Sequence, residues 1–307
     1  MSDKWLPEIE RQLWADICLN NFWHFLNFAV GLPKYPKAFR WWQPYVHKPI
    51  ADWYQFHIED WLAHRNDEIP VVKNLMLLVP REYAKTTEIT QAGQIWLHLK
   101  DPNLATYSGS ENVTQAKMFL STIQTIISGL ETNSNFTWLY GNWYDPTRSW
   151  RGEYAIHGAR TAMARKEPSF GTWGVETGLT SRHIDAYFFD DPTSYDSMMS
   201  DSAWLDKVNS HISTLVPVLN ADGLRVWVGT RYADADHYGT TLIREGIHTI
   251  SGMDMPIGKP TDDGRWHVYY MSVKDTHGNL TFRHQWPENR IKEWEQQDPE
   301  DCRPTLQ

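Results

Sequence analysis

The apolar residues of this chain follow two different rhythms. From residue 6 to residue 30 they recur every three or four positions (Leu6, Ile9, Leu13, Ile17, Phe22, Phe25, Leu26), which predicts an amphipathic helix. A second helical stripe covers about 50–65, with Ile50, Trp53, Tyr54, His57, Ile58, Trp61 and Leu62 on one face, and proline and aromatic residues break the period between the two. At residue 71 the rhythm changes. Val71-Val72-Lys73-Asn74-Leu75-Met76-Leu77-Leu78-Val79 is a short apolar run with no helical period, as expected of a strand buried on both faces. A helical pattern follows to about Lys100, then a strand at 104–108 and a long helix at 111–130. Residues 132–170, rich in Asn, Gly, Pro and Arg, read as irregular. Strand-like runs return at 171–176, 184–189 and 224–228, with a helix near 201–219, and residues 265–273 and 287–297 suggest one more strand and a short helix. Apolar strands alternating with helices predict an α/β fold with a mainly parallel central sheet flanked by helices. The expected division is a helical N-terminal region (1–70), an α/β core (71–260), and the end of that core with a linker (261–307).

Composition narrows the function more than the fold. Of the 307 residues, 41% are hydrophobic and 22% charged, ordinary for a soluble globular protein. The formal net charge of −9 argues against tight, autonomous binding of duplex DNA, which depends on neutralising phosphates. Arg148, Arg151, Arg160, Arg165 and Lys166 form the best candidate for a local basic patch. The two cysteines, Cys18 and Cys302, make neither a disulfide framework nor a zinc site, which fits a reducing cytoplasm. No basic segment precedes an apolar run at the N-terminus, and no stretch is apolar over the roughly 18 residues of a membrane span. None of the 13 histidines forms a metal pattern, and there is no G-x-S-x-G elbow. Several of the 17 tryptophans (Trp41, Trp42, Trp53, Trp150, Trp286) sit in polar contexts, and some of them are expected to line a surface or a partner interface rather than the core.

Three strand ends carry candidate chemistry. The first apolar run stops at Pro80-Arg81-Glu82-Tyr83-Ala84-Lys85-Thr86-Thr87. A phosphate-binding loop needs backbone amides curled round a phosphate, a helix N-terminus aimed at it, a lysine, and a hydroxyl for Mg²⁺. Lys85 and Thr86 stand where such a loop wants them, although Val79 and Ala84 occupy the two glycine positions of the template, and a Lys-Thr pair opening a helix is more often only a solvated first turn. The second is Asp190-Asp191, closing the apolar run Ala186-Tyr187-Phe188-Phe189. At the C-terminal edge of a parallel sheet the first carboxylate suits Mg²⁺ and the second suits the attacking water, against the plainer reading of a capping turn. The third is Gly229-Thr230-Arg231, where a small residue and a hydroxyl at a strand tip can sense a γ-phosphate and an arginine can add charge.

In this order and at these spacings, the three segments resemble the ATPase domain of phage terminase large subunits. Pro80 to Thr87 resembles that family's P-R-x-x-G-K-[ST]-T loop, Gly174 to His183 its G-x-x-x-G-[LI]-T-G-R segment, and Gly229-Thr230-Arg231-Tyr232 with Asp234 and Asp236 its coupling motif. The similarity spans roughly residues 45–307. Two departures stand out: Ala84 replaces the loop glycine, and Asp191 stands where many motors have glutamate. The resemblance implies an Mg²⁺-dependent P-loop ATPase with ATP bound over residues 80–87, metal held by Thr86 and Asp190, catalysis by Asp191 and Arg81, and coupling through Thr230 and Arg231. A finger supplied to a neighbouring subunit would come from Arg148, Arg151 or Arg160. Trp42, Gln43 and Tyr45 have the chemistry for the adenine side, under a small helical lid, although they could equally pin the N-terminal helix to the core. Implied partners are double-stranded viral DNA, a portal protein, a small terminase subunit and further copies of the chain in a ring, in the cytoplasm of an infected host. A nuclease domain, expected in such proteins, is expected to lie beyond this chain, so DNA cleavage is not expected of it. Two rivals are a helicase-like P-loop motor, and a degenerate module that binds nucleotide without hydrolysing it.

Overall fold

The computed structural model describes residues 8–31, 42–67, 72–131, 134–175, 182–194, 203–215, 217–231, 236–244, 266–275 and 277–297. Seven strands form one sheet: β1 (Lys73–Leu78), β2 (Thr106–Ser110), β3 (Tyr154–Ala155), β4 (Phe170–Gly174), β5 (Ile184–Asp190), β6 (Leu219–Gly229) and β7 (His267–Tyr270). Their order across the sheet is β3-β4-β2-β5-β6-β1-β7. All pairings are parallel except that of the short edge strand β3 with β4. The candidate loop follows β1, the paired aspartates close β5, and β6 lies between them.

The apolar runs are strands because each residue has a buried face to meet. Leu75 and Leu77 of β1, Ala186 and Phe188 of β5, and Val226 and Val228 of β6 join one hydrophobic layer. Their neighbours Met76, Leu78, Tyr187, Phe189 and Trp227 join the other. Alternation of side chains along a strand produces this split. The first layer is covered by helices α1 (Glu8–Asn20), α2 (Phe22–His24, continued by wide π-helical turns over Phe25–Val30), α3 (His47–His64) and α4 (π-helical over Thr86–Gly93, α-helical over Gln94–Lys100). It is completed by α5 (Val113–Ile127) and α6 (Phe136–Tyr140). On the opposite face lie α7 (Trp204–Leu215) and Tyr238 of α8 (His237–Arg244). Helix α9 (Glu288–Gln297) returns to the first layer through Ile291.

Four expectations need correction. The helix predicted over 6–30 breaks at Asn21, whose extended backbone (φ −143°, ψ 108°) lets its side chain accept from the His24 amide and cap a new helix. The irregular stretch 132–170 contains α6 and β3, both too short to show a period. The strand expected at 224–228 begins at Leu219. Trp42, Trp53 and Trp286 are at most 3% exposed and belong to the core, not to a surface. Trp42 donates its indole N–H to the Leu26 carbonyl at 3.1 Å, which explains how a polar-looking context buries it. Trp41 lies outside the described residues.

Candidate nucleotide-binding site

Because β1, β5 and β6 run parallel, their last residues reach the same edge of the sheet. The register places Leu78 beside Gly229, and Asp190 beside Val228. Residues more than a hundred positions apart in sequence thus stand within one or two strands of each other.

The loop after β1 takes a phosphate-loop path without glycine. Glu82 and Ala84 both have positive φ, at 67° and 55°. Ala84 occupies the template's glycine position and adopts the left-handed conformation a glycine would take there, at a strain of about 1–2 kcal/mol. Neighbouring contacts hold it. Buried Tyr83 meets the Thr281 hydroxyl at 2.7 Å, and the Trp286 indole donates to the Arg81 carbonyl at 3.3 Å. Arg290 grips the Glu82 carboxylate with two N–H groups, at 2.9 and 3.1 Å. The Glu88 amide then bonds back to the Ala84 carbonyl at 2.9 Å, and α4 begins with its N-terminus at the loop. Arg81 itself is exposed, and Pro80 is buried.

Lys85 is only 6% exposed, so its charge must be met inside the protein. Its ammonium donates to Thr230 Oγ1 at 2.9 Å and lies 3.4 Å from Asp191 Oδ2. The Thr86 hydroxyl donates to Asp190 Oδ1 at 3.1 Å, and the Thr90 hydroxyl bonds the other oxygen of the same carboxylate. Burial, and then the neighbouring charge of Asp191, push the Asp190 pKa up to about 7, opposed by Lys85 and the two threonines. Asp191 also has positive φ (41°) and accepts from the Thr230 amide at 3.2 Å. All three predicted segments therefore meet: Lys85 and Thr86, Asp190 and Asp191, and Thr230.

The coupling segment is built for close approach. A Cβ on Gly229 would lie 1.8 Å from the hydroxyl of Tyr238, which donates to the Val228 carbonyl at 3.1 Å. Arg231 Nε donates to Asp236 Oδ2 at 2.9 Å, and Asp236 Oδ1 accepts from the Gly239 amide at 2.8 Å, capping α8. Asp236 is thus a partner of Arg231 and a helix cap, while Tyr232 and Asp234 lie outside the described residues. Of the segment from Gly174 to His183, residues 176–181 lie outside them too, among them Glu176. Arg182 donates to the Tyr107 hydroxyl at 3.0 Å.

The arginine cluster is not a continuous basic patch. Arg160 is 3% exposed and donates to the carbonyls of Ala162, Glu167 and Arg165. Arg148 binds the carbonyls of His157 and Arg160 and pairs with Asp145, while Arg165 pairs with the buried Asp185 at 2.6 Å. These guanidiniums hold an irregular loop together, which gives the finger candidates Arg148 and Arg160 partners within this chain. Arg151 is exposed. It precedes β3, five strand spacings or roughly 24 Å from β1 across the sheet, so it does not reach this chain's own Lys85. On the other flank of the loop, Tyr45 is 48% exposed and bonds His284 Nδ1 at 2.7 Å. It lines a cavity of about 580 Å³ with Thr281, Arg283 and His284, and Thr281 is the residue that touches Tyr83.

Two features of the site left no mark in the sequence. Glu111 directly follows β2, and continuing the Gly109–Phe189 register by two residues sets it alongside Asp191. Ser194, just past the paired aspartates, donates to Glu111 Oε1 at 3.0 Å. Thr90, one turn into α4, is the second holder of Asp190. For Mg²⁺, the Thr86 hydroxyl and the Asp190 carboxylate are a suitable hard-oxygen pair, since this ion keeps waters and takes its other ligands from phosphate. Among the described residues no group of three or more His, Cys, Asp or Glu is arranged to hold a metal ion by itself. No helix among them is long and apolar enough to cross a membrane.

No family model matches the sequence, and no curated protein matches it. Among solved structures the chain is similar to the large terminase of a thermophilic bacteriophage in complex with ADP, at 7% identity and a TM-score of 0.39 over 80% of this chain and 49% of that one. A second crystal form of a large terminase from the same phage matches at 8% identity and a TM-score of 0.37, over 80% and 50% of the two chains. The chain spans about half the length of the solved structures it matches.

Proposed function

We propose that this chain is an Mg-ATP-hydrolysing motor domain of a phage DNA-packaging terminase large subunit. The observation that carries the reading is the meeting of Lys85 with Thr230 and Asp191, and of Thr86 with Asp190, at one edge of a parallel sheet. A chance Lys-Thr turn has no reason to face paired aspartates from a strand two places away. The terminase assignment within P-loop enzymes rests on the sequence motifs around those residues.

In this reading Lys85 and the loop amides bind the β- and γ-phosphates, and Thr86 and Asp190 hold Mg²⁺. When bound, the ion supplies charge neutralisation on the phosphate oxygens. Asp191 orients the attacking water, Arg81 adds positive charge from the loop, and Thr230 with Arg231 links the state of the γ-phosphate to β6 and α8. Tyr45, beside the cavity next to Tyr83, serves the base. Arg151, on the far edge, serves the site of an adjoining copy in a ring. With a net charge of −9, the chain engages double-stranded DNA through that ring, the portal protein and a small terminase subunit, and not alone.

The test is phosphate release by purified protein with Mg-ATP. Lys85→Ala is expected to lower turnover by about a thousandfold or more with the fold intact, as for a charge lost from a phosphoryl-transfer site. Undiminished turnover in that variant would sink the assignment. Absence of turnover in the unaltered chain, with nucleotide still bound, would favour the non-hydrolysing module.

A further inference from the structure

A line of buried polar side chains leaves the candidate site and crosses the sheet. Thr90 bonds Asp190 through its hydroxyl, and its carbonyl accepts from Gln94 Nε2, one turn further along α4. The same amide nitrogen donates to Ser108 Oγ at 2.7 Å on β2. Gln94 Oε1 accepts from the Thr106 hydroxyl at 3.0 Å. Thr106 Oγ1 lies 3.1 Å from His98 Nε2, and His98 Nδ1 lies 3.0 Å from His157 Nε2. Thr90, Gln94, His98, Thr106 and His157 are fully buried. The His157 carbonyl, finally, takes the Arg148 guanidinium at 2.9 Å.

The donors in this line are not interchangeable. Gln94 gives its N–H groups to Thr90 and Ser108, so the one proton of Thr106 goes to the Gln94 oxygen at 3.0 Å, with the Ser169 carbonyl a longer acceptor at 3.4 Å. Thr106 then offers His98 only lone pairs, and His98 must donate from Nε2. His98 Nδ1 is therefore bare and accepts from His157 Nε2–H. Both rings are thereby fixed as neutral Nε2–H tautomers. Burial and nearby arginines agree, holding the pKa of His157 at about 3 and that of His98 well below its usual value. Bonds aligned in one sense polarise one another and act as a unit in a water-excluded interior. A buried line of this length is also unforgiving, because moving one member leaves another unpaired.

We propose that Thr90, Gln94, Thr106, His98 and His157 form a positioning relay that ties Asp190 to the arginine-bearing loop around Arg148. A shift of Asp190 or Thr90 on loading the nucleotide site is transmitted three strand places across the sheet, to the edge where Arg151 is exposed. The relay rests on the nucleotide-site reading above.

The experiment follows the imidazole ¹⁵N and ring-proton signals of histidine-labelled protein as Mg-ADP is added, with binding measured separately by calorimetry. In the unaltered chain Mg-ADP binds and shifts the His98 and His157 signals. Thr106→Val still binds, within about tenfold in affinity, because Lys85, Thr86, Thr90 and Asp190 are untouched, but the two rings no longer respond. Thr106→Ser, which restores a hydroxyl, restores the response. Unmoved rings in the unaltered chain with Mg-ADP bound would overturn the relay and leave the nucleotide site standing, and an undiminished response in Thr106→Val would do the same. No heat of Mg-ADP binding at all would overturn the nucleotide site first, and the relay with it.

Discussion

Strand β5 carries a buried aspartate at each end, and the two are treated in opposite ways. Asp185, at the start, is 2% exposed and fully answered by the fold. Arg165 reaches it at 2.6 Å and Arg65 at 3.1 Å, Asn220 donates at 2.8 Å, and the Ala105 amide donates at 2.7 Å. Asp190, at the other end, is 1% exposed and meets two neutral hydroxyls, with a second carboxylate next to it. Lys85 bonds Thr230 and lies near Asp191. One end is a structural knot in which Arg65 ties Asp185 to Asp222 and Asp101, and Arg165 ties it to Glu167. The other concentrates negative charge beside a buried lysine, which makes sense for a site whose remaining partners are a metal ion and phosphates. Equal burial thus marks two different jobs, and the partners tell them apart.

The strongest way to break this contrast is to remove each carboxylate in turn. Asp185→Ala removes the buried carboxylate that joins two arginines, Asn220 and the Ala105 amide, and is expected to cost about 3–5 kcal/mol in a denaturant-unfolding measurement. A loss below about 1 kcal/mol would mean that the knot is ornamental. Asp191→Asn is expected to keep Mg-ATP binding and stability while lowering kcat by about a hundredfold, or roughly 2.7 kcal/mol of barrier. If that variant turns over normally while Glu111→Gln does not, the carboxylate that orients water stands on β2 rather than β5. Asp190→Asn removes a charge whose direct hydrogen bonds come from two neutral hydroxyls. It is expected to leave stability unchanged or raised by about 1 kcal/mol, and to abolish the rise in melting temperature on adding Mg²⁺ with ADP. A clear destabilisation would place Asp190 in the same class as Asp185.

The smallest effect sharpens the picture of the loop. Ala84→Gly relieves a left-handed alanine but loosens the unfolded chain, so a net gain of roughly 0.5–1 kcal/mol is expected from the shift in denaturation midpoint. A loss would show that the Ala84 methyl, 8% exposed and packed in the main core, contributes more than its strain costs.

How much of this was legible beforehand follows from the range of each interaction. The strands β1, β5 and β6 announce themselves, because burial on both faces demands continuous apolar runs, and Lys85, Asp190 and Thr230 were readable as their tips. The break at Asn21 was also legible in principle, since an Asn with a residue three positions on to cap is a local signal. The partners of Arg160 could not be read beforehand because backbone carbonyls, which have no letter in a sequence, are what bind it. Gln94, His98 and His157 gave no warning for a related reason. Their partners lie on other elements, and a polar residue bonded across a sheet looks the same in sequence as one facing water. Glu111 became visible only when β2 was found beside β5.

The strand order has a further consequence, for how the molecule comes into being. Lys73 of β1 pairs directly with Leu224 of β6, so the strand that follows β1 in space is among the last to be made. Until β6 arrives, a growing chain holds both Lys85 and Asp190 yet has no strand to seat them side by side, and no Thr230. Pairings this remote are slow to close, since loop entropy must be met before any contact rewards it. Competence to bind nucleotide should therefore appear in a single late step, and during refolding it should recover together with the last change in tryptophan fluorescence rather than ahead of it.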